Sequence, residues 1–171
     1  MRLPVDSVDL WLTTEKIQAA AEEFFKSTGP LYRIIITYTH SPLKPSTVDA
    51  MIKKFVPVNF GRFILLQRTR LTKDQLEKLI LKCEMSRKPL MVMVRPEGVT
   101  SNSKVTDFFN FDKHYSKKVV KEGVVTANRE GAKLESLVKV KRGAVTASRK
   151  EAELELRVNF RNGDVLCCSW M

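Results

Sequence analysis

Lysine and arginine are the residues of this chain whose number and spacing could most readily support a binding chemistry. The 171 residues include 30 of them against 19 aspartate and glutamate residues, a net charge of +11. Residues 1–50 carry five basic and six acidic groups, residues 51–100 eleven and four, and residues 101–171 fourteen and nine. Such an excess attracts polyanions, and its alternative role is a solvated basic surface that only aids solubility. The candidate polyanion-binding residues lie in the middle of the sequence: Lys53, Lys54, Arg62, Arg68, Arg70, Arg87, Lys88 and Arg95.

Residues typical of catalysis or metal binding are few. His40 and His114 are the two histidines, and both stand beside polar loop residues. A zinc site needs about three or four clustered ligands, and the sequence has neither C-x-x-C nor H-E-x-x-H. The seven glycines form no phosphate-binding pattern, and no G-x-S-x-G elbow occurs. We therefore expect a protein that is not an enzyme and needs no cofactor or metal.

The three cysteines bear on compartment and membrane attachment. An odd count with two adjacent members, Cys167 and Cys168, is a poor disulfide framework, which favours a reducing, intracellular setting in cytoplasm or nucleus. The last four residues have the length of a prenylation box beginning at Cys168, but serine and tryptophan replace its aliphatic positions, so we expect no prenyl anchor there. No run of about 18 apolar residues or secretory signal is present, which predicts no membrane span.

Apolar periodicity predicts a helix-strand repeat unit over residues 1–95. Helices are expected at residues 13–28, from Ser46 or Thr47 to Phe55, and from a capping box at Thr72 and Gln75 to about Met85. In the first helix the inner stripe is predicted to include Ile17 and Phe25. The intervening apolar runs predict strands at residues 31–38, 62–67 and 90–94. Their spacing is near that of leucine-rich repeats, and helix-linked strands should pair in parallel.

The rest of the chain has a different pattern. Residues 96–118 predict a linker whose aromatic residues, Phe108, Phe109 and Phe111, plug the junction with the next segment. Residues 119–171 alternate with a period of two and predict an antiparallel β-meander of four to six strands. Asn162-Gly163 is its strongest hairpin signal. The fold class is thus mixed α+β or α/β: short leucine-rich-repeat-like units and then a meander, in one continuous domain.

One phrase of the meander occurs twice. GVVTANREGAKLE at residues 123–135 and GAVTASRKEAELE at residues 143–155 share eight of thirteen positions. Each copy predicts a strand, a polar turn and the start of the next strand. Arg129 and Arg149 stand at the matching turns, with Lys141 and Arg142 just before the second copy, and these four residues are the candidate partner-binding set.

Three stretches resemble the F-box-associated domains of large nematode protein families: residues 69–90, residues 125–135 and residues 165–170. The likeness spans roughly residues 30–171. Gln75 stands where that family favours asparagine, Cys83 stands near its tryptophan, and no F-box precedes residue 30. The resemblance implies a non-enzymatic protein-interaction module, like the substrate-binding part of the F-box proteins of ubiquitin ligases. The alternative hypothesis is a basic protein that binds nucleic acid or another polyanion, including a viral matrix-like protein.

Overall fold

The computed structural model describes residues 5–100, 102–108, 117–121, 124–129, 132–139, 144–148, 155–162 and 164–170, with the backbone alone for the strands between residues 117 and 159. It has a mixed α/β fold. The elements in chain order are β1 (Ser7–Leu12), α1 (Glu15–Ser27), β2 (Arg33–Thr39), α2 (Pro45–Lys54), β3 (Gly61–Leu65), α3 (Lys73–Ser86), β4 (Leu90–Val94), a 3-10 turn (Val105–Asp107), β5 (Lys117–Lys121), β6 (Val124–Arg129), β7 (Ala132–Lys139), β8 (Ala144–Ser148), β9 (Glu155–Arg161) and β10 (Val165–Trp170).

Two sheets organise these strands. A seven-stranded sheet has the order β1-β2-β3-β4-β10-β9-β8, and β5-β6-β7 form a separate antiparallel sheet. Strands β1 to β4 are parallel, whereas β10 runs antiparallel to both β4 and β9. The predicted helix-strand alternation followed by antiparallel strands is confirmed. The first 30 residues also contribute β1, a strand that was not predicted from the sequence.

The three helices cover one face of the large sheet. Neighbouring helices contact each other in chain order, as expected when each links adjacent parallel strands. Fully buried side chains of β2, β3 and β4, such as Ile36, Phe63 and Val92, pack there against Phe25 of α1 and Leu79 of α3. Among the described helices, none combines the length and hydropathy needed to cross a bilayer.

Local capping explains where two helices begin. The Thr14 side chain accepts a hydrogen bond from the backbone N–H of Ile17 at 3.3 Å. The predicted capping box is confirmed: Thr72 Oγ1 accepts from Gln75 N at 3.2 Å, and Gln75 Oε1 accepts from Thr72 N at 3.1 Å. Capping of the second helix by Ser46 or Thr47 is wrong. That helix starts at Pro45, because proline fits the first helical turn, where its missing N–H costs no hydrogen bond.

The predicted inner stripe of α1 is also partly wrong. Ile17 is 46% exposed, whereas Gln18 and Glu22 are buried. Gln18 exchanges two hydrogen bonds with Ser41, at 3.0 and 3.1 Å, and Glu22 forms an ion pair with Lys44 at 3.0 Å. Compared with the prediction, α1 is therefore rotated so that Gln18 and Glu22 face the loop after β2. These buried polar groups find their partners there.

The antiparallel strands extend the sheet beyond β4, and Leu166, Cys168 and Trp170 of β10 join the helix-side core. The hairpin predicted at Asn162-Gly163 is confirmed by the pairing of β9 with β10, and Asn162 has a φ of 51°. Phe108 is buried, and its ring meets that of Phe160 edge to face with centroids 5.8 Å apart. Phe109 and Phe111 lie outside the described residues. Cys168, the position considered for a prenyl anchor, is fully buried opposite Val92.

Candidate functional site

The face of the large sheet opposite the helices, here called the open face, carries an apolar row that crosses four strands. Successive residues of a strand point to opposite faces, so the neighbours of the core residues point away from the helices. Ile35, Ile64, Met93 and Cys167 follow one another in register across β2, β3, β4 and β10. None of the four belongs to the helix-side core, and Ile64 and Met93 are only half-buried. Ile35 and Cys167 are buried, so the row presents apolar surface away from the helices mainly at Ile64 and Met93.

Two exposed aromatic side chains stand at the β1 end of the open face. Trp11 pairs in register with Tyr38, just after an irregularity that begins at Leu10. Trp11 is 69% exposed and Tyr38 is 39% exposed. A tryptophan this exposed is informative because indole is a large apolar group that proteins usually bury for the most part. Strand β1 also stands at the end of the sheet, where an additional strand could pair.

Arginines border the apolar row. Arg33 and Arg62 lie in register on neighbouring strands, so their like charges repel. Asp9 relieves Arg33 by an ion pair of 3.7 Å. Within the described residues, no carboxylate lies at ion-pair distance from Arg62. On the other side of the row, Arg161 lies close enough to act electrostatically on Cys167. The open face thus combines apolar surface with positive charge.

The thiols of the sheet and of α3 are poor candidates for chemistry. Burial raises the pKa of Cys167, although the Arg161 charge partly opposes it. Burial also raises the pKa of Cys83 and of Cys168. A thiol with a raised pKa stays protonated at neutral pH and is a weak nucleophile. Among the described residues, no three histidine, cysteine, aspartate or glutamate side chains are grouped to hold a metal ion.

A groove of about 480 Å³ opens where β3 and β4 begin, and we call it the amino-edge groove. Phe60 stands at its rim, 82% exposed, with a φ of 63° and its N–H bonded to the Pro89 carbonyl at 2.6 Å. The Nε1–H of Trp170, in the groove wall, donates to Glu84 at 3.1 Å. The groove is mostly apolar and adjoins the open face, and its lining includes Phe60, Gly61, Arg62, Leu90, Met91 and Trp170.

The eight predicted polyanion-binding residues do not form one patch. They divide between the two ends of the parallel strands, and β3 alone separates those ends by about 17 Å at roughly 3.3 Å per residue. Each group therefore forms a separate positive region. At the carboxyl edge lie Arg68, Arg70 and Arg95, and at the amino edge lie Lys53, Lys54, Arg62, Arg87 and Lys88.

Two of the three carboxyl-edge arginines share one acidic partner. Asp164 lies 3.4 Å from Arg95 and 3.9 Å from Arg70. Arg95 also donates to the Gln67 carbonyl at 3.0 Å, and Arg68 donates to the His40 carbonyl at 3.1 Å. His40 thus lies in a loop, as predicted, and contributes its backbone. One carboxylate facing two guanidinium groups leaves this edge positive.

The amino-edge cations mostly follow the ends of helices. Lys53 and Lys54 end α2, and the Lys54 amino group donates to the Thr28 carbonyl. Arg87 ends α3 in the left-handed conformation, with a φ of 53°, and Lys88 follows it. Positive charge at a helix C-terminus is favoured by the helix dipole, so four of these five positions have a structural reason to be basic.

The candidate partner-binding set of the repeated phrase is described only in part. Arg129 is the last residue of β6, known from its backbone, and pairs with Ala132 of β7. Arg149, Lys141 and Arg142 lie outside the described residues, as does His114. The structure therefore does not place these cations relative to one another.

The residues that sequence reasoning missed are Trp11, Tyr38 and Phe60. The segment SVDLWL has the period-two alternation of a half-buried strand, which was the available signal for β1 and for an outward Trp11. Phe60 had no such signal, because it stands in a turn between predicted elements.

Comparison with known protein families, with curated proteins and with solved structures gives no match for this chain. Its function is therefore inferred from its own residues and geometry.

Proposed function

We propose that this protein is a non-enzymatic protein-interaction module that binds its partner on the open face. The observation that carries the proposal is the exposed Trp11–Tyr38 pair beside an apolar row bordered by arginines. Tryptophan, tyrosine, methionine and arginine are the residue types enriched in protein interfaces. A partner covering this face would bury the aromatic rings and supply carboxylates to Arg62.

The family resemblance supports the same function. An F-box-associated domain would use such a face to hold a substrate of a ubiquitin ligase. Leucine-rich-repeat-like units likewise bind partners on an extended sheet surface. An intracellular location fits both roles, and the free thiols of Cys83, Cys167 and Cys168 support it.

Site-specific photo-crosslinking tests the proposal. A photoreactive amino acid replaces Tyr38 on the open face or, as the matched control, Ile17 on the exposed side of α1, and crosslinking is done in the native cell. We expect one protein to be crosslinked from position 38 and not from position 17, and purified partner to bind the Trp11→Ala variant more weakly. Equal crosslinking from both positions, or none from position 38, would contradict the proposal.

A second candidate function is polyanion binding at the carboxyl edge, as in a nucleic-acid-binding or viral matrix-like protein. The specific observation is that Arg70 and Arg95 share one carboxylate, Asp164, and that Arg68 lies at the same edge of the sheet. Phosphate contacts release counterions, so affinity for single-stranded RNA should fall steeply with salt. A gel shift comparing Arg68→Glu with Arg33→Glu tests this, and no binding in about 50 mM salt rules it out.

A further inference from the structure

We propose that the amino-edge groove receives one large apolar side chain of a partner protein, and that Arg62 binds an acidic residue beside it. The occupant is thus a partner segment with an aromatic or long aliphatic residue flanked by carboxylates. This inference rests on the proposed function and specifies the chemistry of the partner.

The groove has the size and lining of an anchor site. Its 480 Å³ lies within the range of small ligand pockets, about 300–1,000 Å³. Leu90 and Trp170 line the groove and are buried members of the helix-side core, so the groove is built on a packed scaffold. Well-packed pockets that take up an apolar side chain are where binding energy concentrates in protein interfaces.

The rim at Phe60 is held in place by the backbone. A Cβ at the neighbouring Gly61 would lie 3.0 Å from the Val58 carbonyl oxygen and 3.1 Å from that of Tyr32, so a larger residue would require the backbone here to shift. The left-handed φ of Phe60 and its hydrogen bond to Pro89 hold the aromatic residue in an exposed position. A side chain entering the groove could cover this ring.

The charges around the groove predict which residues flank the apolar side chain of the partner. Arg33 is paired with Asp9, while Arg62 has no carboxylate partner within the described residues. Arg87 and Lys88 immediately precede Pro89, which also lines the groove. The nearby acid Glu84 accepts the indole N–H of Trp170. The surroundings of the groove are therefore positive, and an acidic segment complements them.

A protein segment suits the groove better than a nucleic acid does. Nucleic acids are held mainly by cations that track their phosphates, and at this edge Lys54 is already bound to the Thr28 carbonyl. The groove wall is instead apolar and concave. An oligonucleotide nevertheless serves as a competitor in the test.

The two tryptophans of the chain give separate reporters, since Trp170 lines the groove and Trp11 lies on β1 of the open face. Peptides are selected from a displayed random library against the full chain. They are then titrated into protein labelled with ¹⁵N-tryptophan, and the two indole N–H signals are assigned with Trp11→Phe.

We expect selected peptides to carry a large apolar residue flanked by aspartate or glutamate and to shift the Trp170 signal. Their affinity should fall about tenfold or more in Arg62→Glu, because this charge reversal removes a direct contact. It should stay unchanged in Arg68→Glu, because Arg68 lies at the opposite edge of the sheet. Thermal unfolding checks that both variants fold. The inference is overturned if no selected peptide moves Trp170, if Arg62→Glu binds equally well, or if a single-stranded oligonucleotide displaces the peptides. If the inference fails but a protein is still crosslinked from position 38 in the Arg62→Glu variant, the proposed function is retained.

Discussion

Trp11 lies in register with Tyr38 across the β1–β2 pair, and both aromatic side chains remain exposed. Cross-strand aromatic pairs stabilise a sheet, but they do so most when their rings are shielded from water. Here the rings border an apolar row that also lies away from the helix-side core. Burial of the two rings by a partner would therefore stabilise a complex more than their present contacts stabilise the fold.

Replacing Trp11 by alanine should separate binding from stability. We expect Trp11→Ala to change the free energy of unfolding by no more than about 0.5 kcal/mol, because the side chain is largely exposed. Affinity for the crosslinked partner should fall by about 2 kcal/mol, the loss typical of an interface hot spot. Urea denaturation and titration calorimetry measure the two quantities. Met85→Ala, at another exposed apolar position on α3, is the control and should retain affinity; a similar loss in both variants would argue against a docking role for Trp11.

Gln75 should matter more for stability than its capping partner. Thr72→Ala removes one cap and should cost about 1 kcal/mol. Gln75→Ala should cost more, about 2 kcal/mol, because the Gln75 amide also donates to Pro45 O at 3.2 Å and to Asp49 at 3.0 Å, which ties α3 to α2. Thermal and urea unfolding give the comparison. Equal losses in the two variants would show that the contacts to α2 contribute nothing.

Lys82 should act as an external cap of α2. Its amino group donates to the Ile52 and Lys53 carbonyls, both at 2.9 Å, and its partial burial lowers its pKa. Lys82→Met keeps most of the apolar stem but loses both hydrogen bonds, so we expect a loss of about 1 kcal/mol of unfolding free energy. Lys78→Met, one turn earlier at an exposed position, is the matched control. A loss of the same size in both variants would contradict the capping role.

Stability should fall in mildly alkaline solution. Burial raises the pKa of the Cys83 and Cys168 thiols in the folded state, while the unfolded chain deprotonates near its ordinary value, about 8.5. Above that pH the unfolded state binds fewer protons, so each thiol lowers the unfolding free energy by up to about 1.4 kcal/mol per pH unit.

Urea denaturation between about pH 7.5 and 10 measures this slope, in a range that brackets the unfolded thiol pKa. Cys83→Ala serves as the comparison: it should be less stable at neutral pH because of the cavity but should show a shallower decline. If the decline of unfolding free energy with pH is the same in Cys83→Ala, the Cys83 thiol does not titrate differently in the folded and unfolded states.

Structural features that depend on residues close together in the chain were predictable from the sequence. Features that depend on residues far apart in the chain were not. The Thr72–Gln75 capping box was predictable because all its atoms belong to one helical turn. The face of α1 was not, because Gln18 hydrogen-bonds to Ser41, and β2 lies between these two residues in the chain. The amino-edge groove needs Trp170 beside α3, although Trp170 and Glu84 are 86 residues apart in the chain.

The place of β10 in the large sheet has a consequence for synthesis on the ribosome. β10 pairs with β4 on one side and β9 on the other, yet it is translated long after β4. Until β10 emerges, the nascent parallel half has a bare hydrogen-bonding edge at β4, and Val92 and Val94 lack the packing that Cys168 and Leu166 later supply. Pairing of such distant segments is slow and leaves apolar surface open to aggregation meanwhile. The fold is therefore completed late in translation, and chaperone binding to the ribosome-bound intermediate is the behaviour we expect.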